Sequence, residues 1–380
     1  MKHTWLIGLR SLVAGSVRWL VCLLVGILVL AALPLARNAP PPPAAAQGET
    51  LEVEWVGSYD TPGVAFKVQV VGSLAYVVDW DGGLRIIDVS DPTAPTEVGF
   101  FATTSWVEGV QVVGNLAYVA AGGRGLRIVD VSNPAAPVEV GSFEPTGYAK
   151  GVQVVGSFAY VAASTEGLRI IDVGTPATPI EVGFFDTPNE AHDVQVVGGL
   201  AYVANYREGL RIIDVNNPAA PTEVGFFDTL GDAHDVEVVG SLAYVADWGE
   251  GLRIINVSNP AAPFEVGSFD VPGTTLAVQV TGNLAYFTNV GGLRIINVSN
   301  PAAPVEVGSF DTPGSAYGVQ VVGNLVYVAD GNNGGLQILR VREDATPIST
   351  PTATLTPTPQ LTPHPHPRPA THPHPHPATH

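Results

Sequence analysis

Apolar and polar residues in the middle of the chain follow a pattern that returns about every 42 residues. Its clearest marker is a stretch of the type VQVVGSLAYV, in which Gly followed by Ser, Asn or Gly separates two apolar runs. A fixed period of this length is typical of repeat architectures. The seven copies begin at Val68, Val110, Val152, Val194, Val236, Val278 and Val319.

Each repeat contains the pattern of four short strands. In the first repeat we predict strands at 66–71, 74–79, 84–89 and 96–101, with a two-residue hairpin turn of positive φ at Gly72-Ser73. The third strand does not alternate cleanly between apolar and polar residues, which indicates that both faces of the sheet are covered. Four-stranded units of this length predict an all-β fold, a seven-bladed β-propeller with four-stranded antiparallel blades.

The two ends of the repeat array are complementary. The seventh copy stops after its third strand, and an unpartnered segment EWVGSYDTPG at 54–63 precedes the first copy. We therefore predict that an N-terminal strand closes the ring as the outer strand of the last blade, with Trp55, Val56 and Tyr59 buried.

A pair of charged positions supports this closure. Six blades have an Arg on the third strand twelve residues before a Glu on the fourth, and the last blade has Gln337 and Trp55 there instead. Both partners changed together, as expected for facing positions, and we interpret the pairs as structural. The six pairs are Arg85 and Glu97, Arg127 and Glu139, Arg169 and Glu181, Arg211 and Glu223, Arg253 and Glu265, and Arg294 and Glu306.

The third strands also resemble a known family. They read LRIID, LRIVD or LRIIN, each followed by VSNP or a close variant. These words, with their Asx-Pro turn and spacing, resemble the LVIVD repeat of exported bacterial and archaeal proteins over about residues 51–341. The resemblance implies a secreted or surface propeller and no established biochemical activity. The departures from the pattern are Asn256, Asn297 and Arg340.

Both ends of the chain differ in composition from the repeats. Residues 1–48 contain no acidic residue and combine basic residues, an apolar run and a Pro/Ala-rich linker, as in a signal peptide or an N-terminal membrane anchor. The propeller is predicted at 49–344. Residues 345–380 are rich in Thr, Pro and His, and this composition predicts a disordered tail. We therefore expect an extracytoplasmic protein, secreted or held at the cell surface by the membrane.

The charge of the repeats limits the class of partner. All 35 acidic residues lie between Glu49 and Asp344, together with 12 of the 17 Lys and Arg, which gives this region a formal charge of −23. Such a surface repels phosphate backbones, so nucleic acid is not an expected partner. The single cysteine, Cys22, lies in the N-terminal apolar run, so the exported part is predicted to contain no disulfide. We predict a monomer.

One face of the predicted ring varies from repeat to repeat, whereas the face with the hairpin and Asx-Pro turns does not. A uniform scaffold with one diversified rim is typical of a binding surface. We call the residues two places before the first Val of each repeat the mouth ring: Phe66, Glu108, Lys150, His192, His234, Leu276 and Tyr317. The ring without Leu276, together with the loop residues Trp80, Tyr206 and Trp248, is predicted to bind a protein or polysaccharide partner.

Adjacent blades contain two similar sequence motifs, EAHDV at 190–194 and DAHDV at 232–236. Their side chains suit either a divalent metal, held by His192, Asp193, His234 and Asp235, or acid–base chemistry. The alternative is a duplicated blade with solvated polar ends. The chain contains no calcium loop, HExxH motif or nucleophile elbow, so no cofactor is predicted.

The sequence favours a binding module and leaves two other functions open. One is a metal-dependent enzyme that uses His192 and His234, and the other is a structural component of the cell envelope. The fold class cannot decide among them, because one fold supports many functions.

Overall fold

The computed structural model describes residues 50–144, 147–271 and 273–343. This part of the chain forms 28 strands in seven four-stranded antiparallel sheets, which confirms the predicted seven-bladed β-propeller. Its first strand, β1 (Leu51–Tyr59), belongs to the last sheet. The predictions for residues 1–48 and 345–380 lie outside the described residues.

The strands of each blade are consecutive except in the seventh. Blade 1 contains β2 (Ala65–Val71), β3 (Leu74–Asp79), β4 (Gly83–Asp88) and β5 (Thr96–Phe101). Blade 2 contains β6 (Gly109–Val113), β7 (Leu116–Ala120), β8 (Leu126–Asp130) and β9 (Val138–Phe143). Blade 3 contains β10 (Gly151–Val155), β11 (Phe158–Ala162), β12 (Leu168–Asp172) and β13 (Ile180–Phe185). Blade 4 contains β14 (Asp193–Val197), β15 (Leu200–Ala204), β16 (Leu210–Asp214) and β17 (Thr222–Phe227).

The remaining blades repeat this order until the ring closes. Blade 5 contains β18 (Ala233–Val239), β19 (Leu242–Asp247), β20 (Gly251–Asn256) and β21 (Phe264–Phe269). Blade 6 contains β22 (Thr275–Thr281), β23 (Leu284–Asn289), β24 (Gly292–Asn297) and β25 (Val305–Asp311). Blade 7 contains β26 (Gly318–Val322), β27 (Leu325–Ala329), β28 (Leu336–Glu343) and, as its outer strand, β1.

Helical structure in the described ranges is limited to short turns at Trp80–Gly82, Trp248–Glu250 and Gly331–Gly334. No helix there is long and apolar enough to cross a lipid bilayer.

The core of the propeller lies between the blades. The innermost strands contact one another around a closed circle, and seven apolar clusters fill the spaces between neighbouring sheets. In blade 1, Leu84 and Ile86 pack toward blade 2, whereas Ile87 and Val89 pack toward blade 7. Both faces of the sheet are therefore covered, as the missing alternation in the third strand predicted.

The inner hairpin turns all lie on one face of the ring, which we call the turn face. Each has a glycine with φ between +58° and +64°, a conformation that glycine adopts at little cost, so the predicted turn geometry is confirmed. The seven glycines are Gly72, Gly114, Gly156, Gly198, Gly240, Gly282 and Gly323.

The ring is closed by antiparallel pairing of β1 with β28, as predicted. The indole N–H of Trp55 donates a hydrogen bond to Gln337 Oε1 at 3.0 Å, and Arg340 pairs with Glu54 at 2.8 Å. The expectation that Trp55 is buried was wrong, because its side chain lies on the outer surface and is 55% exposed. Val56 is buried and Tyr59 is partly buried, so these two residues supply the apolar packing of the closing strand.

The six predicted Arg–Glu pairs form, with N–O distances of 3.3–3.9 Å. The Arg and Glu of each pair are diagonal neighbours, because a β-bulge in the outer strand places the Glu opposite the residue two positions after the Arg and on the same side of the sheet. Several of these arginine side chains are more buried than is usual for an ion pair on a protein surface. Arg211 is only 5% exposed and also contacts Glu208, Asp228 and the ring of Phe226.

A glycine in each outer strand sets the spacing between neighbouring blades. A Cβ atom on Gly141 would overlap the carbonyl oxygen of Pro176, in the next blade, where Thr175-Pro176 stands in place of the Asx-Pro turn. The same close approach joins Gly57 to Pro92, Gly99 to Pro134, Gly183 to Pro218, Gly225 to Pro260, and Gly267 to Pro301. At the seam between blades 6 and 7 the turn is missing, and Gly308 faces Leu51 across a wider space.

Candidate functional site

The seven residues of the mouth ring surround one opening of the central channel, on the face opposite the turn face. Each stands where the innermost strand of its blade begins, so the ring symmetry brings all seven together. The channel encloses about 330 Å³ between the mouth ring and a lower ring of glutamine side chains. The sequence prediction that these residues share one rim therefore agrees with the geometry.

Backbone bonds between neighbouring blades hold the mouth ring in place. Ala233, directly before His234, exchanges two hydrogen bonds of 3.1 and 2.8 Å with Tyr206 at the tip of the preceding blade. Equivalent bridges join Ala191 to Ser164, and Ala149 to Gly122. The tip of one blade is thus tied to the start of the next, and this places Tyr206 beside the histidines.

A chain of polar contacts runs along one side of the mouth. Lys150 Nζ lies 3.0 Å from Glu190 Oε2 and 2.8 Å from His192 Nε2. The Nδ1 atoms of His192 and His234 lie 3.2 Å apart. The two predicted histidines are therefore partners of each other and of Lys150.

Both histidines are neutral at neutral pH. Burial, and then the charge of Lys150, lowers the pKa of His192 to about 3 and that of His234 to about 4. Burial also raises the pKa of Glu108, although the charge of Lys150 opposes that shift. The environment of the mouth therefore favours the neutral forms of His192, His234 and Glu108.

The hydrogen-bond chain fixes the tautomer of each histidine. His192 Nε2 lies 2.8 Å from the Lys150 ammonium, which has no lone pair, and 3.4 Å from Glu190 Oε2. The shorter contact requires Nε2 to accept, so His192 carries its proton on Nδ1. That proton is donated to Nδ1 of His234, whose own proton is then on Nε2. His234 Nε2 is buried and has no hydrogen-bond partner among the described residues.

Aromatic rings line the rest of the mouth in two groups. Tyr317 stacks on Phe66 at 5.1 Å, and Trp80 follows at 6.1 Å from Phe66 and 5.0 Å from Trp106. Around the histidines, Tyr206 stacks on His192 at 4.9 Å, and Trp248 lies 4.8 Å from His234. Trp106 and Trp248 are 54% and 40% exposed, so an aromatic surface is accessible on both sides.

Lys67 forms a floor below the mouth, which sequence reasoning missed. Its Nζ lies 3.1 Å from Asp193 and 3.8 Å from Asp235, which come from the two blades opposite blade 1. Burial, together with the adjacent Asp235, raises the pKa of Asp193. The signal was present in the sequence, because this position is Gly or Ala in the other four blades.

A second missed feature is the glutamine ring below this floor. In each blade the side chain of the Gln in VQVV accepts a hydrogen bond from a backbone N–H of the next inner strand. Blade 5 has Glu237 instead, whose pKa is raised by burial to about 7. The ring is Gln69, Gln111, Gln153, Gln195, Glu237, Gln279 and Gln320.

The residues of the metal hypothesis have separate partners. Asp193 and Asp235 face Lys67, whereas His192 and His234 face each other. Across the described ranges, no group of three or more His, Cys, Asp or Glu side chains is arranged to hold a metal ion. Catalysis at this cluster stays a prediction.

The polar residues that end the second strands have a structural role. Asp247 accepts hydrogen bonds from Thr229 Oγ1 at 2.7 Å and from Gly231 N at 2.9 Å. Asn205 Oδ1 accepts a hydrogen bond from Asn189 N at 3.2 Å, and Asn205 Nδ2 donates one to Asn189 O at 2.6 Å. These side chains anchor the loops that lead to the mouth.

Comparison with known families identifies the repeat. The profile described as LVIVD repeat matches seven segments, at residues 62–103, 106–144, 146–187, 188–229, 230–271, 272–312 and 313–344. These segments cover most of the chain. The comparison with curated proteins gave no match.

Solved β-propellers resemble the fold at low sequence identity. The propeller domain of Cps50 (Swd1) from Myceliophteria thermophila has a TM-score of 0.63 at 12% identity, covering 77% of this chain and 100% of that domain. The WD40 repeats of RRP9 give 0.61 at 11%, covering 78% and 98%. The computationally designed protein Ika8 gives 0.57 at 8%, covering 73% and 83%. At these identities the likeness shows the fold alone.

Proposed function

Because the chain belongs to the LVIVD-repeat family and folds as a β-propeller, a common scaffold for protein interaction, we propose that it is an extracytoplasmic binding module. Its channel mouth receives part of a partner, either a protein or a polysaccharide. The proposal rests on one observation: seven side chains of six different types converge on the opening of a channel whose wall is otherwise repeated.

Charge and accessibility support the mouth as the contact surface. Its aromatic residues are partly exposed, and such side chains supply large contact areas at low cost in conformational entropy. The strongly acidic composition argues against nucleic acid as the partner. We propose that the protein acts as a monomer, with each mouth an independent site.

The proposed location rests on the N-terminal sequence. Residues 1–48 combine basic residues, an apolar run and a Pro/Ala-rich linker, as membrane-targeting segments do. Protease treatment of intact cells tests this part. The full chain should be cleaved from outside, and a chain lacking residues 1–48 should be protected. Protection of both chains would contradict export.

We do not propose a metal-dependent enzyme as a second function. The neutral histidine pair and the Lys67-bound carboxylates already satisfy one another within the described structure. No observation on these residues favours bond cleavage or transfer over binding.

Binding selections on the full chain test the mouth directly. Phage-displayed peptides and an immobilised glycan array provide the two classes of partner. A mouth variant, Phe66→Ala with Trp248→Ala, should lose the selected binders. An outer control variant, Phe100→Ala with Phe184→Ala, removes two aromatic residues that are 51% and 50% exposed on the outer strands and should keep the selected binders. Equal loss in both variants, or no binder in either class, would contradict the proposal.

A further inference from the structure

The mouth is divided into an apolar side and a polar side. Leu276, Tyr317 and Phe66 come from three consecutive blades, and the last two are stacked at 5.1 Å. The other four blades present Glu108, Lys150, His192 and His234. A group that fits both sides must itself have an apolar face and a polar edge.

The two ammonium groups at the mouth already have partners, and burial raises the pKa of the Glu108 carboxyl group. The Lys150 ammonium binds Glu190, and the Lys67 ammonium binds Asp193 and Asp235. An anionic ligand group would have to break one of these pairs, and a cationic group would find only Glu108, whose burial disfavours the charged form. The surrounding acidic surface adds repulsion for anions.

One hydrogen-bond donor at the mouth has a fixed position. The chain from Lys150 through His192 leaves the proton of His234 on Nε2, which is buried and lacks an acceptor among the described residues. A buried N–H without an acceptor is costly. A turn of the imidazole ring toward the channel would bring this N–H to an uncharged oxygen such as a hydroxyl, which satisfies it without adding charge. The indole of Trp248 lies directly beside this donor.

We propose that the mouth binds an uncharged sugar ring of a polysaccharide, an inference that rests on the binding function proposed above. A pyranose ring has an apolar C–H face for Phe66 or Trp248 and hydroxyl oxygens for the polar side. The channel volume of about 330 Å³ limits the inserted group to a small terminal unit. The exposed rings of Trp106 and Trp248 provide platforms for the adjoining sugars on either side.

Calorimetric titration of the full chain with matched oligosaccharides tests the inference. Chitotetraose is compared with its fully deacetylated, cationic form. Methyl-esterified oligogalacturonide is compared with its de-esterified, anionic form. At least one neutral member should bind, and its charged counterpart should bind about tenfold more weakly or worse. A charged member that binds as tightly as its neutral counterpart would overturn the inference.

Variants locate the sugar and separate its contacts. Trp248→Ala and Phe66→Ala should each weaken neutral-sugar binding by about tenfold or more, whereas the outer control Phe184→Ala should leave it unchanged. His234→Phe keeps an aromatic ring and removes the N–H, so it should also weaken binding. Unchanged affinity in His234→Phe would remove the assigned donor. Thermal unfolding of each variant verifies that the propeller is intact.

The same experiment distinguishes the two proposals. If no oligosaccharide binds but the peptide selection yields binders that require Phe66 and Trp248, the sugar inference fails and the binding function stands. If neither class gives binders that depend on the mouth, both fail.

Discussion

The wall and the mouth of the channel are built from the same strands but follow opposite rules. In the wall, Gln at one position of each inner strand bonds to the next blade, with Glu237 as the single exception. Three residues earlier, at the mouth ring, every side chain differs except the two histidines. The difference separates the contacts that hold the ring together from the positions that are free to vary.

The same separation applies to the outer strands and loops. The glycines that meet the Asx-Pro turns and the arginines that bind acidic side chains recur from blade to blade. The contacts that stabilise the fold are thus distributed around the ring. The side chains that vary from blade to blade are concentrated at the mouth, at one end of the ring axis. Each prediction below compares a change in the repeated part with a matched change elsewhere.

The largest effect is expected at the spacing between blades. Gly141→Ala places a Cβ against the Pro176 carbonyl, and we expect it to lower the free energy of unfolding by about 3 kcal/mol or more. Gly308→Ala at the seam, where the nearest atoms would be 3.3 Å away, should cost much less. Chemical denaturation of both variants measures the difference. Equal losses would contradict the role given to the Gly–Pro contact.

The mouth should make stability depend on pH. The pKa values of His192 and His234 are about 3 and 4 in the folded protein, below the usual value of 6.5. Below pH 6.5 both histidines become protonated in the unfolded chain, whereas in the folded protein they stay neutral down to about pH 4. Stability is therefore complete above pH 6.5 and falls toward pH 4, by about 1.4 kcal/mol per pH unit for each histidine.

A double variant isolates this effect. Asp193 and Glu237 have raised pKa values, so their contribution to the free energy of unfolding falls as the pH rises, opposite to that of the histidines. The wild type must therefore be compared with His192→Gln/His234→Gln. Between pH 6.5 and 5 the wild type should lose about 3 kcal/mol more than the variant. Denaturation curves at both pH values test this, and parallel losses would show that the histidines are not held neutral.

An intermediate effect is expected in the glutamine ring. Gln153→Leu leaves the N–H of Val196 without its acceptor, so the free energy of unfolding should fall by about 1 to 2 kcal/mol. Leu276→Ser at the mouth ring should change it by no more than about 0.5 kcal/mol. A greater loss from Leu276→Ser than from Gln153→Leu, measured by denaturation, would reverse the contrast between wall and mouth.

The smallest effect is expected at the closing blade. Trp55→Glu combined with Gln337→Arg rebuilds the pair of the other six blades and should change stability by about 0.5 kcal/mol or less. Gln337→Arg alone places a guanidinium without that carboxylate and should be less stable than the double variant. The double-mutant cycle measures their coupling, and zero coupling would show that the two positions are independent.

Most of the scaffold could be predicted from the sequence, because each repeated residue is required by the local backbone conformation or by a contact with a neighbouring strand. Gly72 was identifiable as a turn glycine, the unfinished seventh repeat predicted the closing strand, and the simultaneous change at Trp55 and Gln337 supported it. The burial of Trp55 was predicted wrongly, because a large apolar side chain was assumed to face inward. Its position is that of Glu97 in blade 1, on the outer surface.

The membership of the mouth was predictable, but its interactions were not. Ring symmetry places His192 and His234 in adjacent blades, whereas the contact of Lys67 with Asp193 crosses the channel and needs the diameter of the ring. The glutamine ring was hidden because alternating polar residues are ordinary in strands. The neutral state of the histidines depends on burial and on Lys150, which no linear pattern records.

The backbone pairing of Leu51 with Glu343 fixes the face of the propeller at which its first strand begins and its last strand ends. Both strands end there on the turn face, so the chain enters and leaves the propeller on the side opposite the channel opening. Residues 51 and 343 are therefore both remote from the mouth ring. A bulky label coupled at either position would leave the channel opening accessible to a ligand from solution.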